Sequence, residues 1–195
     1  MNRSIKRFLA SDDGITLVEL MVVMILLGMV LGTAYMAQQA ISKSNDIAER
    51  QAVLTRQITY PMLLLEKIIV QNRELRTATD YEMVCTTDKD LDGVYELNTI
   101  KATPDGRILL RVQLLNNDGT VKSLVSENYI GHENTNVSSA VPMFKYLMDQ
   151  NGSVVEVPAD QRADKTRFVD MTIRASYKDA TLEESRTIQF RNRDF

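Results

Sequence analysis

The hydrophobic pattern divides the chain into three stretches with different periods. From Ile15 to Ala37 the residues are apolar almost without a break (ITLVELMVVMILLGMVLGTAYMA), and Glu19 is the one charge among 23 positions. A helix rises about 1.5 Å per residue, so this stretch spans roughly 35 Å, enough for a bilayer core of about 30 Å. Polar residues begin at Gln38. Even so, Ala40, Ile41, Ile47, Ala48, Ala52 and Leu54 recur at steps of three, four and seven, with Lys43, Asp46, Glu49, Arg50 and Arg56 on the other faces. That spacing predicts one continuous helix from Ile15 to about Tyr60. Pro61 either kinks it or opens a second helix as its first residue. Met62, Leu65, Ile68, Ile69, Asn72 and Leu75 repeat with helical period, so helix is expected to about Thr77, with this stripe packed under a sheet.

From Tyr81 onward the period changes to two. Val169, Met171, Ile173, Ala175 and Tyr177 alternate with Asp170, Thr172, Arg174 and Ser176, the pattern of a half-buried strand. Ile108, Leu110, Val112 and Leu114 alternate in the same way, and 143–148 and 182–190 read as further strands. Asp92-Gly93, Asp105-Gly106, Asp118-Gly119 and Asn151-Gly152 are turn dipeptides between them. Residues 128–140 and 158–166 are polar and are expected to be loops. The fold class is therefore α+β: a long N-terminal helix, its outer half lying on one face of a mostly antiparallel sheet. The expected divisions are 1–14, a cytoplasmic leader; 15–37, a membrane span; 38–77, an extramembrane helix; and 78–195, a β-rich head.

Composition narrows the chemistry. A length of 195 residues suits one ordinary domain with extra elements and argues against a large multidomain enzyme. One Cys, Cys85, excludes an internal disulfide framework and any multi-Cys zinc or iron–sulfur site, and one His, His132, excludes a multi-His metal centre. Net charge is −3, with no concentrated basic face, so nucleic acid is not an expected partner. Cys85 is expected as a small buried hydrophobe and His132 as a loop residue. No Gly-rich phosphate loop or nucleophile elbow occurs, and no catalytic residue is assigned. Glu183-Glu184, on adjacent strand positions, is expected to solubilise a sheet edge.

Arg3, Lys6 and Arg7 precede the apolar run, and the nearest basic residues behind it are Lys43 and Arg50. The positive-inside tendency keeps residues 1–14 in the cytoplasm and sends the rest across. A cleaved secretory signal would have a shorter apolar core and a clean small-x-small site, which Thr33–Ala37 does not offer. A plain signal anchor leaves Glu19 unexplained, since a charged residue central in a span costs about 2.5–3.5 kcal/mol, though less near the interface.

Gly14-Ile15-Thr16-Leu17-Val18-Glu19 resembles the processing site of type IV pilins and pseudopilins. The resemblance covers residues 3–37. It implies that a prepilin peptidase cuts between Gly14 and Ile15, that the new Ile15 amine is N-methylated, and that Glu19 pairs with the amine of a neighbouring subunit during assembly. Such a carboxylate needs a cation to offset its desolvation. Ile15 replaces the commoner aromatic first residue, and Asp12-Asp13 stand where a basic residue is usual. Gly28 and Gly32 form a G-x-x-x-G pair suited to close helix packing, although Gly is common in membrane helices in any case. The Pro usual eight residues after Gly28 is absent, Met36 standing there. This omission and the order of the C-terminal elements resemble W-type minor pilins and J-type pseudopilins.

The resemblance implies a structural subunit, not an enzyme. Its partners would be other pilin or pseudopilin subunits, the prepilin peptidase and an inner-membrane assembly platform. A minor pilin acting in pilus assembly or initiation is the leading expectation, and a type II secretion pseudopilin is its rival. From another class, a membrane-anchored periplasmic enzyme or calcium-binding module remains open, and a convergent polar pocket in the head would favour it. The one metal-like constellation is Asp88-Lys89-Asp90-Leu91-Asp92-Gly93, where Asp88, Asp90 and Asp92 offer hard oxygens suited to Ca²⁺. The alternative is an acidic, solvated hairpin loop. Thr99 stands where an EF-hand needs Glu, so that full motif is excluded.

Overall fold

The structure is a computed structural model and describes residues 16–88 and 93–191. The chain divides into two compact units, Met1–Ala48 and Glu49–Phe195. A 54-residue helix, α1 (Leu17–Val70), runs through the boundary, with Pro61 inside it, so Pro61 does not begin a second helix. In the first unit the large apolar side chains from Leu17 to Met36 are all exposed. An 18-residue window of α1 has mean hydropathy 2.4 and none of it is buried. This apolar, uncovered surface fits membrane anchoring.

In the second unit α1 becomes one-sided. Leu54, Ile58, Met62, Leu65 and Ile69, at steps of four, four, three and four, are buried, while Tyr60 and Leu63 are exposed. This stripe joins Met83, Ile100, Ile108, Phe144, Tyr146 and Met171 in one hydrophobic core. The helix ends at Val70, not near Thr77 as the apolar spacing predicts. Gln71 closes it with a three-residue turn, its N–H donating to the Ile68 carbonyl at 3.2 Å. Asn72–Ala78 is already the first strand, β1. The error has a physical cause. The β1 register shifts between Asn72 and Glu74, and again between Leu75 and Thr77. A bulge adds one residue to a strand, so the buried Asn72 and Leu75 are three apart and imitate a helical step.

The strands form two antiparallel sheets where a single sheet is expected. β1, β2 (Glu82–Thr87), β3 (Glu96–Ala102), β4 (Ile108–Leu115) and β5 (Val121–Gly131) make a meander in that order. The second sheet is ordered β7 (Ser153–Glu156), β6 (Phe144–Gln150), β8 (Phe168–Tyr177), β9 (Ala180–Gln189). Residues 128–131, expected as loop, belong to β5, and 159–165 form a 3₁₀ turn and a short helix, α2 (Arg162–Lys165). The turns at Asp105-Gly106, Asp118-Gly119 and Asn151-Gly152 are where the sequence places them, while Asp92 lies outside the described residues. Asn151 and Gly152 both have positive φ (56° and 82°), which closes the two-residue β6–β7 hairpin in the primed geometry that matches strand twist.

The linker after β5 carries a feature that its polar sequence hides. Asn134 and Asn136 are buried. Asn136 Nδ2 donates to the carbonyls of Val141 (3.2 Å) and Thr172 (2.9 Å), and its Oδ1 accepts from Arg174 N–H (2.8 Å) and Asn134 Nδ2 (2.8 Å). Asn134 N–H donates to Gly106 O at the β3–β4 turn, and Thr135 N–H donates to Arg174 O on β8. The segment thus ties the two sheets together through satisfied buried amides.

Candidate functional site

Of the assembly residues expected from sequence, Gly14 and Ile15 lie outside the described residues, and Glu19 is described. It sits in the first turn of α1. Its backbone N–H donates to Thr16 Oγ1 at 3.3 Å, and Leu20 N–H donates to Thr16 O at 3.1 Å, so Thr16 caps the helix. Thr-x-x-Glu is the spacing of a capping box, and a carboxylate here also faces the positive end of the helix dipole. The Thr16 signal was available in the sequence, three residues before Glu19, and the motif reading passes over it. No cation pairs with the Glu19 carboxylate among the described residues. It is an exposed charge at the start of an otherwise apolar surface.

Gly28 and Gly32 lie on the same helix one turn apart. A Cβ at either would meet nothing within 4 Å, so each leaves a shallow, open notch on α1. Just beyond them, Thr33 turns its hydroxyl back onto the helix and donates to Val30 O at 2.9 Å. That removes one polar group from the apolar surface.

The acidic loop is described only in part, because Asp90 and Asp92 lie outside the described residues. Asp88, at the end of β2, is buried and has Arg73 Nη2 at 3.7 Å. Among the described residues no group of three or more His, Cys, Asp or Glu side chains is placed to hold a metal ion. Cys85 is fully buried, with its thiol pushed up to about 12 by desolvation, the reverse of what a nucleophile needs.

His132 borders an open polar cleft of about 420 Å³ with Asp105, Arg107 and Glu133. Two of its charged groups, Asp105 and Arg107, are engaged with each other. Asp105 accepts from the Thr103 hydroxyl and pairs with Arg107 Nε at 2.8 Å. The hydroxyl, then the guanidinium, hold its carboxyl below the usual carboxylate range. Arg107 also lies over the Tyr129 ring at 4.5 Å. The backbone N–H of His132, not its ring, makes the contact to α1, donating to Gln57 Oε1 at 2.9 Å.

The distinctive site is therefore the start of α1: a capped helix with an acid in its first turn, followed by an uncovered apolar surface. Residues 10–35 match the family model described as the prokaryotic N-terminal methylation motif. No curated protein and no solved structure is significantly similar to the chain. The matched segment spans the Gly14–Ile15 junction, Glu19 and both glycines of the G-x-x-x-G pair. The chain carries the prepilin-type signal of type IV pilin-like proteins, and carries it on an α+β, pilin-like architecture.

Proposed function

We propose that this protein is a structural subunit of a type IV pilus or pilus-like filament, a minor pilin acting in assembly or initiation. Before assembly it is held in the inner membrane by α1, with residues 1–14 in the cytoplasm and the β-rich part in the periplasm. The prepilin peptidase removes residues 1–14 after Gly14, and Ile15 becomes an N-methylated terminus. The observation that carries this reading is Glu19, an exposed carboxylate in the first turn of a helix whose large apolar side chains from Leu20 to Met36 are all uncovered. In lipid or in a filament core, that acid is stable only beside a cation. The amine of a neighbouring subunit supplies one at the same depth, so the pair sets the axial register. Gly28 and Gly32 then let neighbouring helices approach closely.

Glu19→Gln keeps the size of the side chain and removes its charge. Breaking a buried ion pair costs about 3–5 kcal/mol, so the amount of this protein recovered in sheared filaments should fall well over tenfold. Processing at Gly14 and membrane association should persist. Undiminished incorporation of the Gln variant would refute the assembly role.

A further inference from the structure

We propose that the free edge of β5 pairs antiparallel with β5 of a second copy of this chain, about a two-fold axis between Leu124 and Val125. An unpaired strand edge is a template for another strand, and proteins blunt such edges with charges, bulges or shortness. Three of the four edges here are blunted. β1 carries Arg73, Glu74 and Arg76; β7 is four residues long; and β9 carries Glu183, Glu184 and Arg186. By contrast β5 is eleven residues long and ends its sheet, and Val121, Leu124, Val125 and Tyr129 are exposed on it.

The β5 sequence is complementary to itself when reversed. Pairing Leu124 with Val125 of the second copy places Ser123 opposite Ser126 and Lys122 opposite Glu127, twice over by symmetry. The charges attract, and no like charges meet. β5 is bulged against β4 at Lys122, Val125 and Ile130, and the bulge at Val125 puts the two serines on one face. Ser123 lies opposite Leu114 and Ser126 opposite Val112 on β4, with Val125 passed over, so these two serines share one face although they are three apart. Leu124 (opposite Gln113) and Glu127 (opposite Arg111) share the other. In a regular strand, residues three apart point to opposite faces and this pairing would fail. Glu127 already accepts from Arg111 Nε at 2.6 Å, which fixes it at the edge, and Lys122 has no partner among the described residues.

The test uses the full-length chain in its membrane, as two differently tagged copies. Directly opposed Cα atoms in an antiparallel pair lie about 4.5–5.5 Å apart, within disulfide range. One copy carries Ser123→Cys and the other Ser126→Cys. Mild oxidation should join the two tags, whereas either variant alone should give no dimer, because neither position opposes itself. Adding Lys122→Glu to both copies should lower the dimer yield roughly fivefold, and adding Glu127→Lys as well should restore it. Unchanged melting midpoints show that the variants remain folded. Absence of the mixed dimer, equal dimer from a single variant, or cross-linking only to a different protein overturns the proposal. Each of those results leaves the role of Glu19 untouched, because Glu19 is not one of the residues paired here.

Discussion

Cys85 has no contact with solvent and lies on β2 between Leu75 of β1 and Asn98 of β3, so its chemistry is set by what burial forbids. A thiolate there would be an unsolvated charge, and the thiol is pushed up to about 12 from a starting value of 9.0. The consequence for stability has a definite sign. Between those values the native state keeps its proton while the unfolded chain gives it up, so the native state loses ground as pH rises. The thiol's contribution is complete below pH 9 and declines towards pH 12, by at most about 1.4 kcal/mol per pH unit. Urea denaturation of the wild type and Cys85→Ala should show a constant stability difference up to about pH 9 and a shrinking advantage for the wild type above it. A difference independent of pH would mean that the thiol is solvated. Tyr146 is held neutral by the same desolvation, and its hydroxyl donates to Thr79 O at 3.0 Å instead.

At the scale of elements, α1 shows one sequence period serving two different surroundings. Before Ala48 its apolar side chains are exposed all round. From Leu54 onward only the stripe Leu54, Ile58, Met62, Leu65, Ile69 and the neighbouring Pro61 are buried. Ile58 and Leu63 are therefore a matched contrast on adjacent turns. Truncating the fully buried Ile58 to Ala removes core contacts and leaves a cavity, at a cost of about 2–5 kcal/mol. Truncating the half-exposed Leu63 should change stability by no more than about 0.5 kcal/mol. Denaturant midpoints of the two variants measure this directly, and equal losses would mean that the helix packs on another face. The stripe was legible because a helix repeats its buried face within a few residues. The end of the helix was not, because the β1 bulge spaces Asn72 and Leu75 as a helix would. Nor was the division into two sheets, since alternation marks a strand without naming its neighbour. The Asn134–Asn136 tie was equally hidden, because its partners Gly106, Thr172 and Arg174 are distant in sequence.

For the whole molecule, the prepilin-type signal was readable because it is linear: a peptidase reads the residues in order, before any tertiary contact exists. Its parts make separable demands. On the proposed reading Gly14 serves the peptidase, the apolar run serves the membrane, and Glu19 serves the neighbour. Gly14→Val should therefore block cleavage while leaving the apolar surface of α1, and hence membrane association, intact. Mass spectrometry of the purified protein should find residues 1–14 retained. The variant should be missing from sheared filaments, because without cleavage no terminal amine arises four residues from Glu19. Glu19→Gln should give the complementary result, a processed terminus in a protein that likewise stays in the membrane. Two variants with the same assembly defect but opposite N-termini would place cleavage before charge pairing. A Gly14→Val protein that enters filaments with its leader attached would show that the acid finds its counter-ion elsewhere.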